Sequence, residues 1–159
     1  MEAYIRRFDA QNGQDLLRYL EQPGIRTLVV SPVLCVGARL GGEVRSFQVL
    51  AHVSLAIGVD LNPGTKNPLV LYGNAHSLWQ FKDGAFGSVF SNVLNHVLHI
   101  DQFATEAHRV LASGGTLLIH LHLNSMEVDQ WAVNDMTAMQ VQQKNAQADR
   151  GGGLHAGCV

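Results

Sequence analysis

The chain has 159 residues, 47% of them hydrophobic and 15% charged, with a formal net charge of −2. That is the size of one domain with enough apolar material for a buried core, and it excludes general disorder. The near-neutral balance gives no electrostatic footprint for nucleic acid or an anionic membrane, and no run approaches the roughly 20 apolar residues of a membrane span. The opening MEAYIRRFDA has no apolar stretch of signal-peptide length, so a cytoplasmic location is expected.

Residues 11–22 carry Leu16, Leu17 and Leu20 on one helical face among Asp15, Arg18 and Glu21, with Asn12 placed as a cap and Pro23-Gly24 as a stop. The spacing predicts a covering helix. Ile25 to Val30 is apolar and β-branched but ends at Ser31-Pro32, which suits a connector or an edge piece. Residues 1–32 are therefore read as an N-terminal cover and connector. Val33 to Val36 follows as a short apolar strand. Cys35 within it reads as a small buried hydrophobe, and Cys158 lies in a glycine-rich tail, so the two make no disulfide framework.

From Val33 to Asp60 the chain reads as strand, glycine-bearing turn, helix (apolar positions Val44, Phe47, Val49, Leu50 and Ala51 between Gly42 and His52), second apolar strand (Ser54 to Val59) and a lone carboxylate. A strand that enters such a turn and feeds a helix suits an adenosine-type cofactor, and Asp60 sits near the roughly 20-residue spacing at which an acid reaches ribose hydroxyls. The glycines are Gly37, Gly41 and Gly42, and Arg39 occupies the middle glycine position of a dinucleotide fingerprint. A side chain there obstructs the approach of a pyrophosphate, which disfavours nicotinamide and flavin dinucleotides. Tyr19 and Tyr72 also have no lysine four residues on, as a Tyr-x-x-x-Lys dehydrogenase pair requires.

Beyond the turn Asn62-Pro63-Gly64, Pro68 to Leu71 is a third short strand leading to Gly73-Asn74-Ala75. Phe81 to Gly84 is a loop, and Phe86 to Asn92 a fourth strand. Asp101 starts a helix with the face Phe103, Ala107, Val110 and Leu111, ended by Ser113-Gly114-Gly115, and Thr116 to Leu121 is a fifth strand. Strands alternating with helices imply an α/β fold with a doubly wound parallel sheet of about five strands.

The run GNAHSLWQFKDGAFGSVFSNVLNHVLHIDQFATEAHRVLASGGTLLIH, with VLCVGARLGGEV and GVDLNP before it, resembles the S-adenosylmethionine-binding core of class I methyltransferases, especially the type-11 methyltransferase domain, over roughly Val33 to His122. The C-V-G-A-R form of the turn is similar to a branch associated with plants and algae. The resemblance implies a Rossmann-like core and S-adenosyl-L-methionine as cofactor. Gly37, Ala38, Arg39 and Gly41 would form the turn under its methionine part. Asp60 would accept from the ribose hydroxyls, Leu61 would lie beside the adenine, and Asn74 with Ala75 would meet the adenine edge. Ser91, Asn92 and Val93 would line the methyl-donor end. Arg39 could pair with the methionine carboxylate. The sequence differs from the family pattern where Cys35 replaces the usual acid before the first glycine, Asn74 the usual aspartate, Gly87 an aspartate and Ser113 a proline.

Methyl transfer from a sulfonium is an in-line displacement that asks mainly for alignment, with at most one positioned base for the acceptor. His96, after the fourth strand, is the candidate. His120 and His122, two apart on the fifth strand, share a face as metal ligands do, but no third ligand at diagnostic spacing accompanies them and no metal is expected. Trp79 and Trp131 read as packing residues.

The family core has seven strands, and nothing after His122 has strand character, so the core is expected to be abbreviated at its C-terminal side. Glu127 to Val141 reads as a helix and Gln142 to Val159 as a mobile tail. The organisation is thus 1–32, a core at 33–123, a helix at 124–141 and a tail at 142–159. The fifth strand would be an open edge unless the helix or a second copy covers it. Two functions follow: a methyltransferase acting on a small-molecule or unassigned acceptor, or a methyltransferase-like binding module with little or no turnover.

Overall fold

The computed structural model describes residues 2–121. Helix α1 (Glu2–Leu20) and the short α2 (Pro23–Arg26) precede β1 (Val33–Val36), α3 (Gly42–Gln48), β2 (Ala56–Asp60), β3 (Val70–Tyr72) and β4 (Phe86–Ser91). A 3-10 turn at Leu94–His96, α4 (Ile100–Val110) and β5 (Leu111–Ile119) complete the described chain. The five strands form one sheet in the order β3-β2-β1-β4-β5, and every neighbouring pair is parallel. This is the expected doubly wound Rossmann-like sheet. No helix of the described residues is long and apolar enough to cross a membrane.

β1 lies in the middle of the sheet and is buried along its whole length, which is why its sequence shows no polar alternation. Its residues divide between the faces with the two-residue period of a strand. Val33 and Cys35 join Leu16, Leu20, Val44 and Phe47 under α1 and α3, whereas Leu34 and Val36 join Phe103, Ala107 and Val110 under α4. Phe47 meets Phe90 edge-on at 5.4 Å across the first layer. In the second layer Phe81 meets Phe86 at 4.9 Å and 87°.

Several boundaries differ from expectation, each for a tertiary reason. The first helix begins at Glu2 rather than near residue 11, and Asn12 lies inside it instead of capping it. The buried face Asp9, Gly13, Leu16 and Leu20 runs through the proposed cap, because α3 lies against it. Pro23 opens α2 at its first turn as well as ending α1, in keeping with its fixed φ. β2 extends to Asp60, so the acid belongs to the strand. β5 begins immediately after α4, where Leu111 pairs with Phe86; the register then shifts, and the regular ladder resumes at Ser88 with Thr116.

Helices α3 and α4 fill the β1-to-β2 and β4-to-β5 crossovers, but the connections on either side of β3 are loops. Trp79, in the second of these, is 83% exposed and so is not the packing residue expected. β5 forms one edge of the sheet among the described residues and β3 the other. The helix expected at Glu127 to Val141, with Trp131, the tail from Gln142, His122 and the expected absence of a sixth and seventh strand all concern residues outside the described ones.

Candidate functional site

In a parallel sheet all carboxyl ends share one rim, and β1 stands between β2 and β4, so the chain leaves its end where neighbouring connections diverge. The turn Gly37 to Gly42 rises there from β1. Asp60 and Leu61 lie at the end of β2, Asn74 and Ala75 two and three residues past β3, and Ser91, Asn92 and Val93 at the end of β4. The expected site residues therefore come to one edge.

The turn is wound by three left-handed residues: Gly37 at φ 83°, Arg39 at φ 42° and Gly41 at φ 91°. Glycine is required at the first of these also by space, since a Cβ on Gly37 would fall on the side chain of Val93. Arg39 holds a conformation that L side chains seldom adopt because its N–H donates to Asp60 Oδ2 at 2.8 Å. Asp60 Oδ1 accepts from the N–H of Asn62 at 2.7 Å. The lone acid and the glycine turn are thus in direct contact.

Each remaining N–H of the turn is also used within the protein. Gly37 and Ala38 donate to Val59 O at 2.8 and 3.1 Å, and Gly41 to Ala38 O at 2.6 Å. Leu40 and Gly42 both donate to Asp9 Oδ1 at 3.1 Å. No backbone donor of the turn is left for a phosphate. The Arg39 side chain lies over the ring of Phe8 with 5.5 Å from Cζ to the centroid.

Asp9 went unnoticed in the sequence. It is 4% exposed on α1, and its second oxygen accepts from Arg45 Nη2 at 2.8 Å. One side chain therefore ties α1, the turn and α3 together. The signal was available: Asp9, Gly13, Leu16 and Leu20 follow the spacing of one helical face. Gly13 and Gly42 are the points of closest approach, for a Cβ on Gly13 would lie 2.8 Å from Gly42 O.

Glu43 is the second residue that sequence reading missed. It is 4% exposed in the first turn of α3, and Asn92 Nδ2 donates to its Oε1 at 2.9 Å. Burial, reinforced by the nearby Asp9 carboxylate, pushes Glu43 up to about 7, against the opposing effects of its own backbone N–H, Asn92 and Arg39. Cys35 is raised well above the usual thiol range, first by burial and then by the Glu43 charge, so the thiol is neutral.

At the outer part of the rim, Asn74 Oδ1 accepts from the N–H of His76 at 3.0 Å and lies 2.8 Å from its Nδ1. His76 Nε2 accepts from the N–H of His99 at 3.0 Å, which fixes the ring proton on Nδ1. Both lone pairs of the Asn74 amide oxygen are thus engaged, and the amide NH₂ is the group the residue can offer. Ala75 packs against the second core layer, whereas Leu61 is 63% exposed. Ser91 is buried, and its Oγ accepts from the N–H of Val93 at 3.4 Å.

His96 is exposed at the end of the 3-10 turn, its Nε2 3.3 Å from Asn95 Nδ2. His120 stacks on Tyr19 at 5.8 Å with the rings nearly parallel. Among the described residues no group of three or more His, Cys, Asp or Glu is placed to hold a metal ion.

The family described as "Methyltransferase domain" matches residues 34–119, a little over half of the chain. No curated protein matches. Among solved structures, a chain of the Haloferax volcanii complex between the Trm112 methyltransferase activator and a candidate methyltransferase is 18% identical, with TM-score 0.57 over 74% of this chain and 57% of its own. A Thermotoga maritima protein described as a SAM-dependent methyltransferase is 20% identical, with TM-score 0.52 over 73% of this chain and 53% of its own. The YcgJ protein of Bacillus subtilis is 22% identical, with TM-score 0.51 over 69% of this chain and 49% of its own. At these identities the likeness is one of fold, and the chain spans about half the length of these structures.

Proposed function

The chain belongs to the methyltransferase domain family, and from that membership we propose that it binds S-adenosyl-L-methionine on the carboxyl rim and transfers its methyl group to a small-molecule acceptor. The observation that carries this reading is the contact between the Arg39 N–H and Asp60 Oδ2 at 2.8 Å, which joins the glycine turn and the acid into one receptor edge.

The donor set fits a cationic adenosyl group better than a dinucleotide. A pyrophosphate needs backbone N–H groups aimed at it, and those of the turn are all engaged within the protein. What the rim presents instead is carboxylate. Each Asp60 oxygen accepts one backbone N–H, and a carboxylate oxygen has room for a second donor, so two vicinal ribose hydroxyls could be held together. Gly37, Ala38, Arg39 and Gly41 would shape the floor, Leu61 and Ala75 would flank the adenine, and the Asn74 NH₂ would donate to a ring nitrogen. Ser91, Asn92 and Val93 would bound the methyl-donor end.

When bound, the cofactor supplies an electrophilic methyl on a sulfonium. The chain's own part is alignment, with the tight Gly37–Val93 contact fixing the distance between turn and β4. His96, exposed beyond β4, would take the acceptor's proton. Calorimetric titration with S-adenosylmethionine should give a saturable heat from the intact chain and a loss of at least about a hundredfold in affinity for Asp60→Ala, whose folding is checked by thermal denaturation. No heat from the intact chain overturns the proposal and leaves a methyltransferase-like binding module.

A further inference from the structure

Glu43 is a buried carboxylate with no cation in ion-pair contact among the described residues. Its side-chain partner is the neutral amide of Asn92 at 2.9 Å. The two arginines nearest in the chain are committed elsewhere: Arg45 to Asp9 at 2.8 Å, Arg39 to the face of Phe8. An acid taken out of water without a close positive partner is unfavourable in its ionised form unless it keeps a proton or something bound supplies the charge.

Its place says what that something is. Glu43 lies one residue after the turn, is close enough to Cys35 to raise the thiol, and bonds to Asn92 just beyond β4. It therefore marks the β1–β4 side of the rim, whereas Asp60 marks the β2 side, with the glycine turn between them. A ligand that sets a ribose on one side of the turn and a primary ammonium on the other meets both acids. We propose that Glu43, positioned by Asn92, binds the α-ammonium group of the methionine moiety, an inference that rests on the cofactor reading above.

The charge environment makes the claim specific. Asp9 from α1 and Arg39 from the turn act on Glu43 in opposite senses, Asn92 and the residue's own N–H favour its ionised form, and Cys35 beside it is neutral. With Glu43 held at about 7, affinity for an ammonium-bearing ligand rises between pH 6 and pH 8 as the carboxyl ionises.

The test compares wild type and Glu43→Gln by calorimetry with S-adenosylmethionine and two further probes. S-adenosylhomocysteine keeps the ammonium and lacks the sulfonium charge; 5′-methylthioadenosine lacks the whole amino-acid end. Glu43→Gln should weaken S-adenosylhomocysteine at least about tenfold at pH 8, abolish the rise with pH, and leave methylthioadenosine within about twofold. Equal losses on both probes overturn the proposal, because Glu43 would then merely support the turn. So does an unchanged S-adenosylhomocysteine affinity, or a loss seen only with S-adenosylmethionine, which would assign the acid to the sulfonium. Failure of wild type to bind either probe overturns the cofactor reading itself, and this proposal with it.

Discussion

The two faces of the sheet are covered by different means. On one, α1 crosses α3 with Gly13 against Gly42, and Asp9 reaches from that crossing into the glycine turn. On the other, α4 and the loop after β3 are held by Arg109, which donates to Leu78 O at 2.9 Å, Phe81 O at 3.0 Å and Asp83 at 2.7 Å while pairing with Glu106. Glu106 in turn accepts from the N–H of Leu78 at 2.6 Å. The first face is tied directly to the glycine turn; the second clamps the loop after β3 at Leu78 and beyond, downstream of Asn74 and Ala75. The same kind of interaction, a charged side chain binding backbone groups of another element, thus shapes the glycine turn on one face and braces the loop after β3 on the other.

The strongest way to break the first face is Gly42→Ala, whose Cβ would collide with the main-chain carbonyl of Asp9. Forcing the helices apart should cost about 3 kcal/mol and lower the thermal midpoint by many degrees. An unchanged midpoint would show that the crossing is looser than the geometry says.

Glu43 offers a pH test of the same face. Its folded-state value of about 7 lies above the 4.5 of an ordinary glutamate, so the folded chain holds a proton that the unfolded chain releases. Stability from this group is therefore present below about pH 4.5 and declines as pH rises to about 7, by up to about 3 kcal/mol. Denaturant titrations from pH 4.5 to 8 should show wild type losing stability relative to Glu43→Gln over that window. Parallel curves for the two proteins would mean that the carboxylate is well solvated.

Arg109→Ala sharpens the comparison from the other side. Removal of a guanidinium that serves two carbonyls and two carboxylates should cost about 2 kcal/mol, while S-adenosylmethionine affinity below the melting transition stays within about twofold of wild type. A large affinity loss would show that the two faces are coupled. The smallest effect is expected of Arg39→Ala. Its guanidinium rests on the half-exposed Phe8 while its N–H, which remains, makes the bond to Asp60, so stability should change by less than about 1 kcal/mol and cofactor affinity fall only a few-fold. Unchanged or tighter binding would remove Arg39 from the site.

Much of this architecture was readable from the chain. The uninterrupted apolar strands, the glycine turn after Val36 and the single acid at the end of β2 announce themselves by composition and spacing, because each is a local conformational requirement. Helix α4 was read correctly at Phe103, Ala107 and Val110, which follow a plain helical period, but the helix ends at Val110, and Leu111, expected on the same face, starts β5 opposite Phe86. The first helix was cut short because an apparent cap at Asn12 interrupts a face that only α3 makes continuous. Trp79 was misplaced for the converse reason: hydrophobicity argues for burial, but the connection after β3 has no helix under which to bury it.

The sequence by itself therefore determined the sheet, its rim and the pair formed by the turn and Asp60. Tertiary structure alone decided which charged groups stand around them. Asp9 binds the turn from 31 and 33 residues away, and Asn92 meets Glu43 across 49 residues. Such pairings depend on how the elements pack, and no periodicity within either segment encodes its distant partner.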